Sequence, residues 1–120
     1  MKTILVVDDS KTIRRILHEA LIQENYAVLE ASNGHDALAF LANTVPDVVV
    51  SDIHMPDING IDLVRLIRAD KRLKALPILI LTTEDESVFK VQARTAGATA
   101  WLAKPFADAV LHTALKRLMA

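Results

Sequence analysis

Five short apolar runs, each followed by a stretch with helical spacing, constrain this chain more than any other feature. The runs are Ile4 to Val7, Ala27 to Leu29, Val48 to Val50, Ile78 to Leu81 and Trp101 to Ala103. They are continuous and lack polar alternation, so they read as strands buried on both faces. Between them, Ile13, Ile16, Leu17, Ala20 and Leu21 recur at i, i+3, i+4, i+7 and i+8. Leu111, Ala114, Leu115 and Leu118 follow the same helical rule. Shorter stripes are Ala37, Phe40, Leu41 and Leu63, Leu66, Ile67. The segment from Glu84 to Ala96 has the weakest stripe, Val88 and Val91 followed by Gln92 and Thr95, and is expected to be the least firmly docked helix. Asn33-Gly34, Pro46-Asp47, Asn59-Gly60 and Gly97 mark joints. Five βα units predict an α/β, doubly wound, five-stranded parallel sheet with helices on both faces and right-handed crossovers. The whole chain, 1–120, is expected to be one domain, long enough at 120 residues to bury a core without staples.

Composition narrows the function. With 52% apolar and 24% charged residues the chain is globular. It has no cysteine, which excludes a disulfide scaffold and a thiolate metal site. A net charge of −1 argues against nucleic acid as the main partner. No apolar run is long enough for membrane insertion or a secretory signal. The expected location is cytoplasmic.

In doubly wound sheets, ligands bind beyond the carboxyl ends of the strands, at the switch in strand order. The first strand ends in Asp8-Asp9, the third in Ser51-Asp52, the fourth in Thr82-Thr83-Glu84 and the fifth in Lys104-Pro105. The second ends in Ala31-Ser32-Asn33, without an ionisable group. With strand order 2-1-3-4-5, the first strand lies beside the third and Asp8, Asp9 and Asp52 become neighbours. Three adjacent carboxylates require a proton or a cation. Oxygen-only donors select a hard ion, Mg²⁺ before Mn²⁺. Lys104 on the same rim and the Thr82 hydroxyl complete a site suited to phosphoryl transfer, with Asp52 as nucleophile.

The motifs VVDDS (6–10), VVVSDIHMPDINGID (48–62), LTTE (81–84) and GATAWLAKPF (97–106), in this order, resemble the response-regulator receiver domain of two-component signalling over the whole chain. The details TTE and AWLAKPF are most similar to single-domain, chemotaxis-type receivers. The resemblance implies a flavodoxin-like (βα)5 fold and a phosphorylation-controlled switch. It implies that Asp52 takes a phosphoryl group from a histidine kinase or phosphotransfer protein. Asp8, Asp9, Asp52 and the backbone carbonyl of His54 would hold the metal. Lys104 would contact the phosphoryl oxygens and Thr82 would close on them. Trp101 would stand at the switch-aromatic position, where Tyr or Phe is commoner. His54 and Glu84 would tune hydrolysis, and the Lys104-Pro105 bond would be cis. The face built by the fourth helix, fifth strand and fifth helix would bind a downstream protein target. The monomer is the expected state, with a weak dimer as the alternative.

Other readings stand beside this one. Asp8-Asp9 taken alone is an ordinary turn before a helix capped at Ser10. Trp101 packs in the core under either reading. The four histidines show no ligand spacing. Arg68, Lys71, Arg72 and Lys74 read as a solvated loop on the rim opposite the carboxylates. A small phosphatase with an Asp nucleophile would need a cap, and His54 stands where it would carry an acid. A flavin carrier would meet repulsion from the acidic rim. The chain is expected to act without any enzymatic turnover beyond gaining and losing its own phosphoryl group. Met1 and the short Leu118-Met119-Ala120 end favour a stand-alone regulator over a module cut from a hybrid kinase or DNA-binding regulator.

Overall fold

The computed structural model describes residues 1–83 and 87–120. Five strands, β1 (Thr3–Val7), β2 (Ala27–Ala31), β3 (Val48–Asp52), β4 (Ile78–Thr82) and β5 (Ala100–Ala103), alternate with α1 (Lys11–Ile22), α2 (Gly34–Asn43), α3 (Gly60–Ala69), α4 (Ser87–Ala96) and α5 (Asp108–Leu118). The strands are all parallel, in the order β2-β1-β3-β4-β5. The doubly wound fold and its strand order are therefore those expected from the alternating pattern.

The pleat sends alternate strand residues to opposite sides. Leu5, Val7, Val49, Ile78 and Ile80 join Ala37 and Leu41 of α2, Ile61, Leu63, Val64 and Ile67 of α3, and Ala93 of α4 in one core. Ile4, Val6, Val48, Val50, Leu79 and Leu81 join Leu17 and Leu21 of α1 and Leu111 and Leu115 of α5 in the other. Burial on both faces holds for the central strands β1, β3 and β4 and fails for β2 and β5. Those two are the sheet edges, where a neighbour is missing on one side, and β2 even carries an exposed Glu30.

Among the described residues, three helices start where a polar side chain satisfies a free N–H. Ser10 accepts from Ile13 N–H, Asn33 from Asp36 N–H and Asn59 from Asp62 N–H. Helical stripes placed the buried faces well in part. In α1, Leu17 and Leu21 are buried but Ile16 is 56% exposed. In α4 the expected face is turned outward: Val88 and Val91 are exposed, and Ala93 with Phe89 and Ala96 packs inward instead. Those three residues are spaced i, i+4 and i+7, an equally helical stripe that only contact with α3 and the sheet selects.

In the basic cluster Lys71, Arg72 and Lys74 are exposed, as expected of a solvated loop, but Arg68 is not one of its free charges. Lys71–Leu73 forms a short 3-10 turn that buries Leu73. Arg68 donates from Nε to Gly97 O at 2.9 Å, from Nη1 to Leu73 O at 2.8 Å and from Nη2 to Thr99 Oγ1 at 3.4 Å. Thr99 Oγ1 in turn accepts from Ile78 N–H. One guanidinium thus joins the end of α3, the 3-10 turn and the α4–β5 joint, where Gly97 takes φ +112°.

Candidate functional site

The sheet register assembles the acidic rim. Val7 lies opposite Ser51, so the residues that follow, Asp8 and Asp52, leave adjacent strands side by side. Asp8, Asp9 and Asp52 each offer a carboxylate oxygen within 4.8 Å of the others. Among the described residues they are the acidic group placed to hold a metal ion. The donor set is oxygen alone, which fits a hard divalent cation such as Mg²⁺ and excludes a site built for soft or imidazole-loving metals.

Asp8 and Asp52 are held by their neighbours. Asp8 is 4% exposed. Its Oδ1 accepts from Ser10 N–H at 2.9 Å, and its own N–H donates to Ala31 O at 3.1 Å. Arg14 Nη1 donates to the Asp8 carbonyl at 2.6 Å. Burial pushes the Asp8 carboxyl above its ordinary value; the Ser10 N–H and the Lys104 ammonium pull it down, and Asp52 and Asp9 push it up again. Asp52 Oδ1 accepts from Ile53 N–H at 2.8 Å, which leaves Oδ2 facing Lys104. Lys104 Nζ lies 3.7 Å from Asp8 Oδ2 and 3.8 Å from Asp52 Oδ2, bridging the two carboxylates. Thr82 is fully buried at the end of β4, and its carbonyl accepts the Lys104 N–H at 2.7 Å. The Lys104–Pro105 peptide is cis.

The structure therefore brings together Asp8, Asp9, Asp52 and Lys104, with Thr82 tied to Lys104 through the main chain. His54 lies in the β3–α3 loop, its ring 5.7 Å from Phe89 of α4 and edge-on at 81°. Trp101 is half-buried on β5, beside Ile80, and lines a small pocket of about 110 Å³ with Lys90, Ala93 and Arg94 of α4. Glu84 lies outside the described residues. The acidic rim is distinct from that pocket, whereas an apolar groove of about 320 Å³ between α1 and the β5–α5 loop adjoins the rim through Lys104, which lines it.

Sequence reasoning missed three residues that shape this rim. Gly60 opens α3 where a Cβ would overlap the Asp52 carbonyl oxygen and lie 2.8 Å from Ile53 Cα, and its N–H donates to Ile53 O at 2.8 Å. Only a residue without a side chain lets α3 start against the strand that carries Asp52. Arg14 reached the Asp8 carbonyl unannounced, although Glu30, a charge directly after an apolar run, was a signal that something on α1 needed a partner. Phe89 packs on His54 from a helix whose buried face the spacing misassigned.

A response regulator receiver domain profile matches residues 4–116. The chemotaxis protein CheY1 of Helicobacter pylori is 43% identical over 115 residues, covering 94% of this chain and 93% of that protein. The structure of the Vibrio cholerae chemotaxis protein CheY4 superposes with a TM-score of 0.94 at 38% identity, covering 98% of both chains. The receiver domain of the sensor histidine kinase PA1611 of Pseudomonas aeruginosa, solved with magnesium coordinated in its active-site cleft, superposes with a TM-score of 0.91 at 27% identity, covering 98% of this chain and 97% of that one.

Proposed function

The chain belongs to the response-regulator receiver family of two-component signalling, CheY-like in kind, and we propose that it is a phosphorylation-controlled switch with Asp52 as phosphoacceptor. The observation that carries this reading is the convergence of three carboxylates with one ammonium, Lys104, 3.7 and 3.8 Å from two of them. In this reading residues 1–120 act as one unit. The protein works in the cytoplasm, in keeping with a chain free of cysteine and with described helices too short and polar to cross a membrane.

The donor is a phosphohistidine on a histidine kinase or phosphotransfer protein. The Asp52 carboxylate attacks phosphorus; an O–P bond forms, the P–N bond breaks and the imidazole leaves. Asp8, Asp9, Asp52 and the His54 carbonyl would hold Mg²⁺, or Mn²⁺ in its place. When bound, that ion offsets the charge of the acids and of the transferring group. Lys104 is placed to follow the phosphoryl oxygens, since it already spans Asp8 and Asp52. Thr82 turns its hydroxyl to the new anion. His54, with Glu84, sets how long the acyl phosphate lasts.

Phosphorylation adds about −1.5 to −2 charges and three acceptor oxygens. Inverting a two-state equilibrium from 1:99 to 99:1 takes about 5.5 kcal/mol. Hydrogen bonds to charged groups contribute roughly 1.5–3 kcal/mol each, so two or three new ones suffice. The elements that respond are α4 and β5 with Trp101, and the α4–β5–α5 face presents the result to a downstream protein. Exposed Val88, Val91 and Val110 on that face supply apolar contact area.

Asp52→Asn should abolish labelling by acetyl phosphate in Mg²⁺, read as loss of the phosphoryl mass increase on intact protein. Undiminished labelling of Asp52→Asn would overturn the assignment. Pull-downs with and without beryllofluoride test the output face; identical partner sets would count against a phosphorylation-controlled surface.

A further inference from the structure

Glu30 is the one charge in β2, exposed on an edge strand. Its carboxylate holds two side chains of α1. Oε1 accepts from Arg14 Nε at 3.3 Å, and Oε2 lies 2.9 Å from His18 Nδ1. Held there, Arg14 reaches back along the start of α1 and donates from Nη1 to the Asp8 carbonyl at 2.6 Å. Such a short bond from a cationic donor is strong and directional. The Asp8 N–H is meanwhile bonded to Ala31 O, the residue after Glu30. Both peptide groups flanking Asp8 are thereby tied to β2, one directly and one through Arg14.

We propose that Arg14, seated by Glu30, is a positioning residue for the cation site: it fixes the peptide after Asp8 so that the Asp8 and Asp9 carboxylates converge with Asp52. The proposal rests on the reading of those three carboxylates as the cation site. Arg14 acts on that site in two opposing ways. Its charge repels a cation through space, and its hydrogen bond orders the ligands before the cation arrives. The Arg14 charge is offset by the Glu30 carboxylate 3.3 Å away, whereas groups that orient metal ligands change affinity by about 10–100-fold when lost. Ordering therefore wins, and the sign of the mutational effect separates the two.

The test is Mg²⁺ binding by isothermal titration calorimetry on the full chain, with thermal melts in chelator as the control for folding. Arg14→Ala should weaken Mg²⁺ binding about tenfold, at the low end of the range for such orienting groups. Arg14→Lys should recover part of it, because an ammonium can bond the carbonyl but cannot also span to Glu30. Glu30→Ala, which adds no positive charge near the site and removes a negative one, should weaken binding in the same direction through the unseated guanidinium. Equal or tighter binding by Arg14→Ala with a native-like melt overturns the proposal. If Arg14→Ala melts too low to titrate, Glu30→Ala and Arg14→Lys decide, and wild-type affinity in both overturns it. A wild-type protein that binds no Mg²⁺ refutes the cation site itself, and the positioning role with it.

Discussion

Asp8→Asn should make the metal-free protein more stable, although it removes an ion-pair partner. A carboxylate oxygen of Asp8 lies within 4.8 Å of one on Asp52. At an effective dielectric of about 20, two like charges no farther apart than that repel by at least about 3.5 kcal/mol. Lys104 Nζ at 3.7 Å from Asp8 attracts by about 4.5 kcal/mol on the same scale. Asp9 is exposed, and its repulsion of Asp8 in a near-aqueous medium adds about 0.9 kcal/mol. These pairwise effects nearly cancel, so burial of Asp8 decides the sign: it costs the charged form several kcal/mol, of which the Ser10 N–H bond recovers roughly 1.5–3 kcal/mol. Asparagine keeps an oxygen for the Ser10 N–H and sheds the charge. The melting temperature in chelator should therefore rise by roughly 4–8 °C at neutral pH.

The pH dependence carries the same sign. The folded pKa of Asp8 is raised above 3.8, so the stability linked to its proton is fully present below that value and is lost as pH rises through the folded pKa. The gap between variant and wild type should be absent in acid and open as pH rises. Excess Mg²⁺ should reverse the order, because a ligand at about 100 times its Kd adds about 2.7 kcal/mol to the protein that binds it. Thermal melts by circular dichroism across pH, in chelator and in Mg²⁺, read all of this. A variant that melts below wild type in chelator at neutral pH would refute the reasoning, since attraction to Lys104 would then outweigh burial and repulsion.

Other perturbations separate the site from the scaffold. Gly60→Ala should cost about 2–4 kcal/mol in urea unfolding, because its Cβ would meet backbone at Asp52 and Ile53 with no flexible neighbour to yield; a shift under about 0.5 kcal/mol would mean that α3 relocates freely. Arg68→Ala should cost about 2–3 kcal/mol through the Gly97 and Leu73 carbonyls it leaves without their cationic donor, with the labelling of Asp52 retained. If hydrogen exchange at the α4–β5 joint is no faster in that variant, Arg68 does not anchor the joint.

How much could be read without coordinates differs by element. The acidic rim was legible because strand ends are marked in the chain by the change from apolar run to polar residue, and parallel topology sends those ends to one side. Asp8, Asp9, Asp52 and Lys104 each stand at such a boundary, and they do meet. The faces of the helices were less legible. Val88 and Val91 made as good a stripe as Phe89, Ala93 and Ala96, and the choice between them depends on what α3 presents across the gap. Edge strands misled for a related reason: β2 and β5 carry apolar runs like the central strands, but burial needs a neighbour on both sides.

The basic cluster shows the limit most clearly. Arg68 looked like one of four solvated charges, and it is instead the donor for two backbone carbonyls and a threonine hydroxyl from segments 5 to 31 residues away. An arginine has five N–H groups in a fixed fork, and nothing local says which acceptors will lie around it. Arg14 is the same case at the functional rim.

By itself, the sequence determined the doubly wound fold, its one-sided rim and the residues on that rim, because periodicity and polarity are local properties that survive unfolding. Tertiary structure alone decided which helix faces are buried, which charge holds which carbonyl, and how the Asp8 carboxyl is perturbed. Those outcomes depend on distances between segments far apart in the chain, and a few ångströms there separate a solvated charge from a structural one.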